Sequence, residues 1–458
     1  MKTETIAAIA SGMTNSGIGI IRISGEDALS VIDKIYRSKN GKKNLSEQQS
    51  HTVHYGAVYD GDEQIDEVMV LIMRAPNTYT REDTVEIDCH GGVLVMRRIL
   101  ETVTKNGARP AEPGEFTKRA FLNGRIDLAQ AESVMDLISS KNDFALKSSV
   151  SQLHGALTGQ IRDIRKVILH EIALIESSLD DPEHISLDGY REELYEKVNE
   201  LLKKIQRLLD SSENGRLLSE GIQTVIVGKP NAGKSSLLNV LLRKERALVT
   251  DIAGTTRDVL EEQINLNGIT LNLSDTAGIR KTDDLIERMG VDKTKEYLEQ
   301  ADLILYVVDS SVPLDENDAD VMKLISDQHV IVLLNKTDLP SVIDSSDIQK
   351  RIKKRIISIS TKDRSGIDEL EDAIKEMFFH GEISFNDEVY ITNIRHKHLL
   401  QNAYQDLLLV RKSMDDGMPE DFFSIDLMSA YEELGSIIGE SVEEDLVNEI
   451  FSKFCMGK

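Results

Sequence analysis

Two rhythms of apolar and polar residues divide this chain. In its first part, Thr5–Ala10, Ile18–Ser24, His51–Tyr59, Glu67–Arg74 and Thr84–Cys89 read as strands, and Glu26–Tyr36 and Gly92–Lys105 read as helices. The Pro110–Gly114 stretch punctuates the end of this α+β unit. From Phe116 to Leu209, Leu and Ile recur at three-to-four spacing, which predicts long helices with one break near Asp180-Asp181-Pro182. Strands then return at Ile222–Val227, Ile269–Ser274, Leu303–Val308, Val330–Leu334 and Ile356–Ile359, alternating with helical stretches. That order implies a doubly wound, mostly parallel sheet. Residues 381–458 are helical again, with Leu427, Tyr431, Leu434 and Ile438 on one stripe. Neither flanking helical stretch looks complete alone, so the two are expected to pack together around an inserted α/β domain.

At 458 residues the chain is too long for one compact core. The fold class expected is multidomain α/β plus α. An N-terminal α+β domain covers 1–118, a helical part 119–215, a nucleotide-binding α/β domain 216–380, and a second helical part 381–458. Two cysteines, Cys89 and Cys455, cannot form a disulfide framework, and Met1-Lys2-Thr3-Glu4-Thr5 lacks the apolar core of a signal peptide. No apolar run approaches the roughly 20 residues of a membrane span. A cytoplasmic protein without a membrane span is expected. The net charge of −25 argues against indiscriminate coating of nucleic acid. It leaves room for a local basic site; the cluster Lys350, Arg351, Lys353, Lys354 and Arg355 is read first as a solvated helix face.

Chemistry concentrates in the inserted domain. Gly228-Lys229-Pro230-Asn231-Ala232-Gly233-Lys234-Ser235 falls between a strand and a helix, as a phosphate-binding loop requires. Its glycines let N–H groups converge on phosphate oxygens, Lys234 would reach the terminal phosphates, and the Ser235 hydroxyl would ligate Mg²⁺. Asn335-Lys336-Thr337-Asp338 follows a strand, and an Asp there can accept both N1–H and the 2-amino group of guanine. Asp275-Thr276-Ala277-Gly278 closes another strand, with Asp275 suited to a water-mediated Mg²⁺ contact and the Gly278 amide to the γ-phosphate. Ser360-Thr361-Lys362 could back the base with main-chain amides. Four such elements in order point to GTP. The residue after the Asp-x-x-Gly is Ile279, which cannot orient water as a glutamine would.

Ser16–Gly25, Ala75–Asp83, Cys89-His90-Gly91-Gly92, Pro113–Thr117 through Phe121–Arg125, and the terminal Phe451–Lys458 with its Cys455-Met456-Gly457-Lys458 form further signatures. On these, the chain resembles the bacterial and organellar tRNA modification GTPases called MnmE or TrmE, over essentially its whole length. Met456 stands where the family usually has Ile. The resemblance implies an N-terminal tetrahydrofolate-binding and dimerisation domain, a discontinuous helical domain, and an inserted Ras-like P-loop GTPase domain. It implies a homodimer that works with an FAD-containing partner, MnmG (GidA), in a heterotetramer. Together they would add a carboxymethylaminomethyl or aminomethyl group to C5 of wobble uridine 34 of certain tRNAs. The one-carbon unit would come from 5-formyl- or 5,10-methylene-tetrahydrofolate, and tRNA would be held mainly through the complex. A regulatory or ribosome-assembly GTPase without tRNA chemistry is the rival reading.

For GTP, the resemblance implies binding by Asn231, Ala232, Gly233, Lys234, Ser235 and Ser236. A second set is Thr250, Asp251, Ile252, Ala253, Gly254, Thr255 and Thr256, and a third Asp275, Thr276, Ala277 and Gly278. Asn335, Lys336, Asp338, Ser360, Thr361 and Lys362 complete it. K⁺ would be held by Asn231, Thr250, Ile252 and Thr255 in place of an arginine finger, and Mg²⁺ by Ser235 and Thr256. Glu287 matches the family glutamate that positions the attacking water; without that match it reads as a solvent-facing helix residue. Arg22, Glu82, Arg125 and Lys458 fall on the folate-contacting positions, with Arg125 where the family usually has Lys. The alternative reading gives Arg22 and Glu82 only domain or dimer salt bridges. Cys455 reads either as a small apolar group or as a nucleophile beside Lys458.

Overall fold

The structure is a computed structural model, and it describes residues 4–39, 41, 43–181, 184, 188–244, 262–266, 268–273, 298, 300–379, 389–440, 442, 444–455 and 457. The chain forms two compact units. Met1–Ile138, Val150–Leu202 and Asn402–Lys458 make the first; Ser139–Ser149 and Lys203–Gln401 make the second.

In the first unit, seven strands share a sheet: β1 (Ile6–Ile9), β2 (Gly19–Ser24), β3 (Tyr36–Ser38), β4 (Thr52–Asp60), β5 (Glu63–Met73), β6 (Thr84–Cys89) and β7 (Arg109–Pro110). Their order is β3-β4-β5-β6-β2-β1-β7, antiparallel except between β1 and β7. Alternation decides which face is covered. Ile21, Ile23, Val58, Val68, Val70, Ile72, Val85 and Ile87 form one core with residues of the helices Ala28–Ile35 and Val93–Lys105. Val53, Tyr55 and Met69 on β4 and β5 remain exposed. β5 starts at Glu63, earlier than its apolar pattern predicts. Gly61, at φ 61°, lets Asp60 and Glu63 pair across a two-residue turn, and the polar Glu63 and Gln64 carry no apolar signal.

The two helical stretches meet as expected. Helix Ala156–Asp180 stops at the predicted break and packs on Asp421–Ile438. Arg165 is buried there: its guanidinium lies 3.9 Å from the Tyr431 ring centroid, its Nε donates to the Tyr431 carbonyl at 3.1 Å, and it pairs with Glu440. Leu427, Leu434 and Ile438 are buried on the predicted stripe, and Tyr431 is half-buried. The last helix, Glu444–Ser452, joins Phe451 and Phe454 to Ala120, Ile126 and Leu128 in one cluster.

In the second unit, β8 (Ile222–Val227), β9 (Glu262–Leu266), β10 (Ile269–Leu273), β11 (Leu303–Asp309), β12 (Val330–Asn335) and β13 (Arg355–Ser358) run in the order β13-β12-β11-β8-β10-β9. All pairings are parallel except the β9–β10 hairpin. The central strands read as unbroken apolar runs because both faces are covered. Leu303, Leu305 and Val307 join a core with the helices Lys234–Lys244 and Ile367–Phe379. Ile304, Tyr306 and Val308 point the other way, into a core with the helix Glu316–Leu324. This is the doubly wound sheet that the alternating order predicts. The basic cluster does not make a helix face: Lys350 caps the helix Ser345–Gln349, whereas Arg355 opens the edge strand β13.

Segments outside the GTP-binding motifs also close this unit. Phe144 enters the same core as β9 and β10, with its ring 5.0 Å from that of Tyr390. Asn142 Nδ2 donates to Thr270 Oγ1 at 3.0 Å, and Asn272 Nδ2 donates to the Glu220 carbonyl at 2.9 Å. Thr270 and Asn272, the polar alternates of β10, are therefore buried and satisfied.

Candidate functional site

The phosphate loop leaves β8 at Gly228, whose φ of 150° only glycine adopts readily. A Cβ at this position would lie 2.3 Å from the Val307 carbonyl oxygen of β11, so the loop starts hard against its neighbouring strand. It then closes on itself. Ala232 N–H donates to the Lys229 carbonyl at 3.3 Å, and the buried Lys234 donates from Nζ to the carbonyls of Gly228 at 2.6 Å and Lys229 at 2.8 Å. The helix Lys234–Lys244 begins at that lysine and buries Leu237, Leu238 and Leu241 beneath it. Its first-turn N–H groups and dipole make the loop an anion site. Asn231 sits at φ 60°, tolerable for Asn, with its side chain exposed.

The Asn335-Lys336-Thr337-Asp338 turn lies at the carboxyl end of β12, where an open parallel sheet places its ligand-facing loops. Asn335 is fully buried; its Nδ2 donates to the Ala232 carbonyl at 2.8 Å and its Oδ1 accepts from Thr361 N–H at 3.3 Å. One side chain thus holds the phosphate loop, the Asn-Lys-Thr-Asp turn and the Ser360–Lys362 segment together. Asp338 is fixed by Ser360 Oγ at 3.0 Å and by Lys362 Nζ at 3.7 Å. Lys336, at φ 66°, places Nζ 2.6 Å from Asp309 Oδ2 at the end of β11. Burial works to raise the Asp309 pKa, but the Lys336 ammonium and the Ser311 donors hold it below the usual carboxylate value. Asp309 was not singled out from sequence; its place after an apolar strand was the available sign.

Thr250, Asp251, Ile252, Ala253, Gly254, Thr255, Thr256, Asp275, Thr276, Ala277, Gly278 and Glu287 lie outside the described residues, as does Lys458. Ser235 and Ser236 lie in the first turn of the helix that begins at Lys234.

The N-terminal residues also come together. Tyr79 stands between two cations, with the Arg22 and Arg125 guanidinium carbons 5.9 and 4.7 Å from its ring centroid. Arg22 Nε pairs with Glu86 at 2.7 Å, and its Nη1 donates to the Gly457 carbonyl at 3.4 Å, so the C-terminal signature reaches this sheet. Glu82 accepts from Arg119 Nη1 at 3.0 and 3.1 Å and from Ser24 Oγ at 2.8 Å. Arg119 also donates to Glu115, which takes a two-pronged contact from Arg109 at 2.6 and 2.8 Å. Both Arg22 and Glu82 therefore make salt bridges within the domain. Arg119 had no assigned role from sequence, although its i,i+4 spacing from Glu115 was visible. Cys89 is buried, which pushes its thiol up to about 11, and Cys455 is exposed. His396 is buried with its ring Nε2 3.0 Å from Arg395 Nη2, a packing position.

Known proteins place this architecture. A family model described as the GTP-binding protein TrmE N-terminus matches residues 5–125, and one described as the MnmE helical domain matches residues 128–455. A protein named tRNA modification GTPase MnmE from Lachnoclostridium phytofermentans is 58% identical over 458 residues, covering 100% of both chains. The chain belongs to the MnmE family. Its relatives of the same name from Acetivibrio thermocellus and Enterococcus faecalis are 47% and 46% identical. They cover 100% of this chain, and 100% and 99% of their own. As an MnmE-family protein it is a GTP hydrolase, with mixed α/β nucleotide-binding and helical parts.

The Glu115 network gives the N-terminal sheet an acid limit. Burial alone would raise the Glu115 pKa, but the Arg109 fork, the Glu112 N–H and Arg119 bring it down to about 2 from 4.5. A depressed carboxyl contributes stability above its unfolded pKa and loses it as pH falls toward the folded one. The contribution is on the order of 3 kcal/mol. Urea denaturation at pH 7 and pH 3 checks this. Glu115→Gln should lower stability at pH 7 and shrink the drop on acidification; an unchanged drop would assign it to other groups.

Proposed function

We propose that this chain is a K⁺-activated GTPase that, with the flavoprotein MnmG (GidA), adds a carboxymethylaminomethyl or aminomethyl group to C5 of wobble uridine 34 in certain tRNAs, using a tetrahydrofolate-derived carbon. The observation that carries the GTP part is the Asn335 side chain, which joins the phosphate loop to the guanine-reading turn. The tRNA part is supported by full-length relatives named tRNA modification GTPase. In this reading the chain acts in the cytoplasm as a homodimer through residues 1–118, forms a heterotetramer with MnmG, and meets tRNA mainly through that complex. Residues 119–215 and 381–458 are its helical domain and 216–380 its GTPase domain.

The described residues suit the ions. Asn231 presents an exposed amide and Ser235 a hydroxyl in the first helical turn, hard oxygen donors of the kind that alkali and alkaline-earth cations take. K⁺ and Mg²⁺ supply positive charge against the charge that develops as the γ-phosphoryl leaves. Lys234 neutralises the terminal phosphates, Asp338 reads the guanine edge, and Ser360, Thr361 and Lys362 line the base. Thr256 would complete the Mg²⁺ ligands, and Thr250, Ile252 and Thr255 those of K⁺. Asp275 would serve Mg²⁺ through water, the Gly278 amide the γ-phosphate, and Glu287 would orient the attacking water. At the N-terminal site, Arg22, Arg125 and Lys458 suit the anionic glutamate tail of the folate. Tyr79 offers a flat face to its pterin, and Glu82 accepts from the amino-pyrimidine edge.

Three measurements test this. Asp338→Asn should weaken GTP binding by roughly a hundredfold or more and favour xanthosine triphosphate, whose C2 oxygen accepts from the new amide. An unaltered preference would remove Asp338 from base reading. GTP turnover should rise severalfold when K⁺ replaces Na⁺, and Asn231→Ala should blunt that response; equal rates in both salts would exclude the ion. Arg22→Ala should abolish 5-formyltetrahydrofolate binding while GTP still binds, and retained folate binding would return Arg22 to a structural role.

A further inference from the structure

We propose that Lys229 is a positioning residue for the GTP site: its ammonium, clamped between Asp315 and Asp318, fixes the peptide that anchors Lys234 and masks two carboxylates behind the phosphate loop. The proposal rests on the reading of that loop as the GTP site.

Lys229 Nζ lies 2.6 Å from Asp318 Oδ2 and 2.9 Å from Asp315 Oδ2. The Asp318 side chain is 2% exposed, and its other partners are the Tyr306 hydroxyl, which donates to Oδ1 at 2.9 Å, and Asp315 N–H, which donates to Oδ2 at 3.0 Å. Asp315 Oδ1 accepts from Asp318 N–H at 3.2 Å in return, a reciprocal cap on the helix Glu316–Leu324. Tyr306 is fully buried in β11, the strand whose Val307 carbonyl faces Gly228. Two consecutive loop residues are thus held to one strand and the helix that follows it, Gly228 by steric contact and Lys229 by charge.

This clamp reaches the nucleotide chemistry through one atom. The Lys229 carbonyl is an acceptor for Lys234 Nζ at 2.8 Å and for Ala232 N–H at 3.3 Å. Displacing that peptide would swing the lysine that meets the terminal phosphates. Charge gives a second route. An anion-binding loop with two carboxylates behind it repels its ligand unless a cation stands between them. Burial works against the Lys229 charge, yet the hydrogen bonds it donates to Asp318 and Asp315 keep its pKa above the ordinary lysine value. The loop pattern G-x-x-x-x-G-K-[ST] leaves the second position free. What specifies a cation there is the buried Asp318.

The test uses the full-length protein, fluorescent GDP and GTP analogues, and steady-state hydrolysis. Lys229→Met should raise the GDP Kd and the KM for GTP by about tenfold, with kcat changed less, since the clamp acts on binding. Lys229→Arg should recover most of the loss. Asp318→Asn placed in the Lys229→Met protein should recover part of it, because the amide still accepts from Tyr306 without leaving a buried charge. This double variant also supplies folded protein if Lys229→Met alone melts. Nucleotide affinity of Lys229→Met within twofold of wild type, or Lys229→Arg as impaired as Lys229→Met, would overturn the proposal. Wild-type protein that bound no GTP at all would instead overturn the reading of the loop.

Discussion

Two hydrogen bonds of the Asn335 side chain, one donated and one accepted, hold the segments with the GTP motifs together. Its amide nitrogen grips Ala232 in the phosphate loop and its oxygen takes the Thr361 amide, while the residue itself has no solvent contact. A buried amide is tolerated only when its groups are satisfied, so loop and turn must sit where Asn335 finds them. Gly233 shows how tight the fit is: a Cβ there would lie 2.1 Å from the Asn335 nitrogen. The glycine-rich loop and the Asn335–Asp338 turn are therefore one mechanical unit.

That unit stands on a sheet whose strands are covered on both faces. The apolar runs of β11 and β12 made these strands readable from sequence, since nearly every residue faces a core. The glycine spacing of the loop was equally readable, because close backbone approach admits no other residue. Short pieces were not. β3 and β7 are three and two residues long, and β9 carries Glu262, Gln263 and Asn265 among its five residues. Pairing with neighbours, rather than local pattern, makes them strands. Phe144 and Asn142 likewise read as parts of a helical stretch, and only the fold reveals them closing the β9–β10 hairpin.

Charge networks mark the same limit of legibility. Motif comparison singled out Glu82 and Arg22, yet the Arg119–Glu115–Arg109 chain behind Glu82 has no sequence pattern of its own beyond one helical pair. Arg109 comes from β7, Glu115 and Arg119 from the helix Glu115–Leu122, and Glu82 from the segment between β5 and β6, and only the fold brings them within hydrogen-bond distance. Buried ion pairs of this kind specify geometry more than they add stability. Here they fix the carboxylate of Glu82 against Ser24 on the face of β2 that also carries Arg22.

The inward bonding of Lys234 has an entropic meaning. Seated on the Gly228 and Lys229 carbonyls, its ammonium ties the end of the loop to its start, so a long side chain that would otherwise sample many rotamers is held to few. Less freedom is left to lose when such a loop holds an anion.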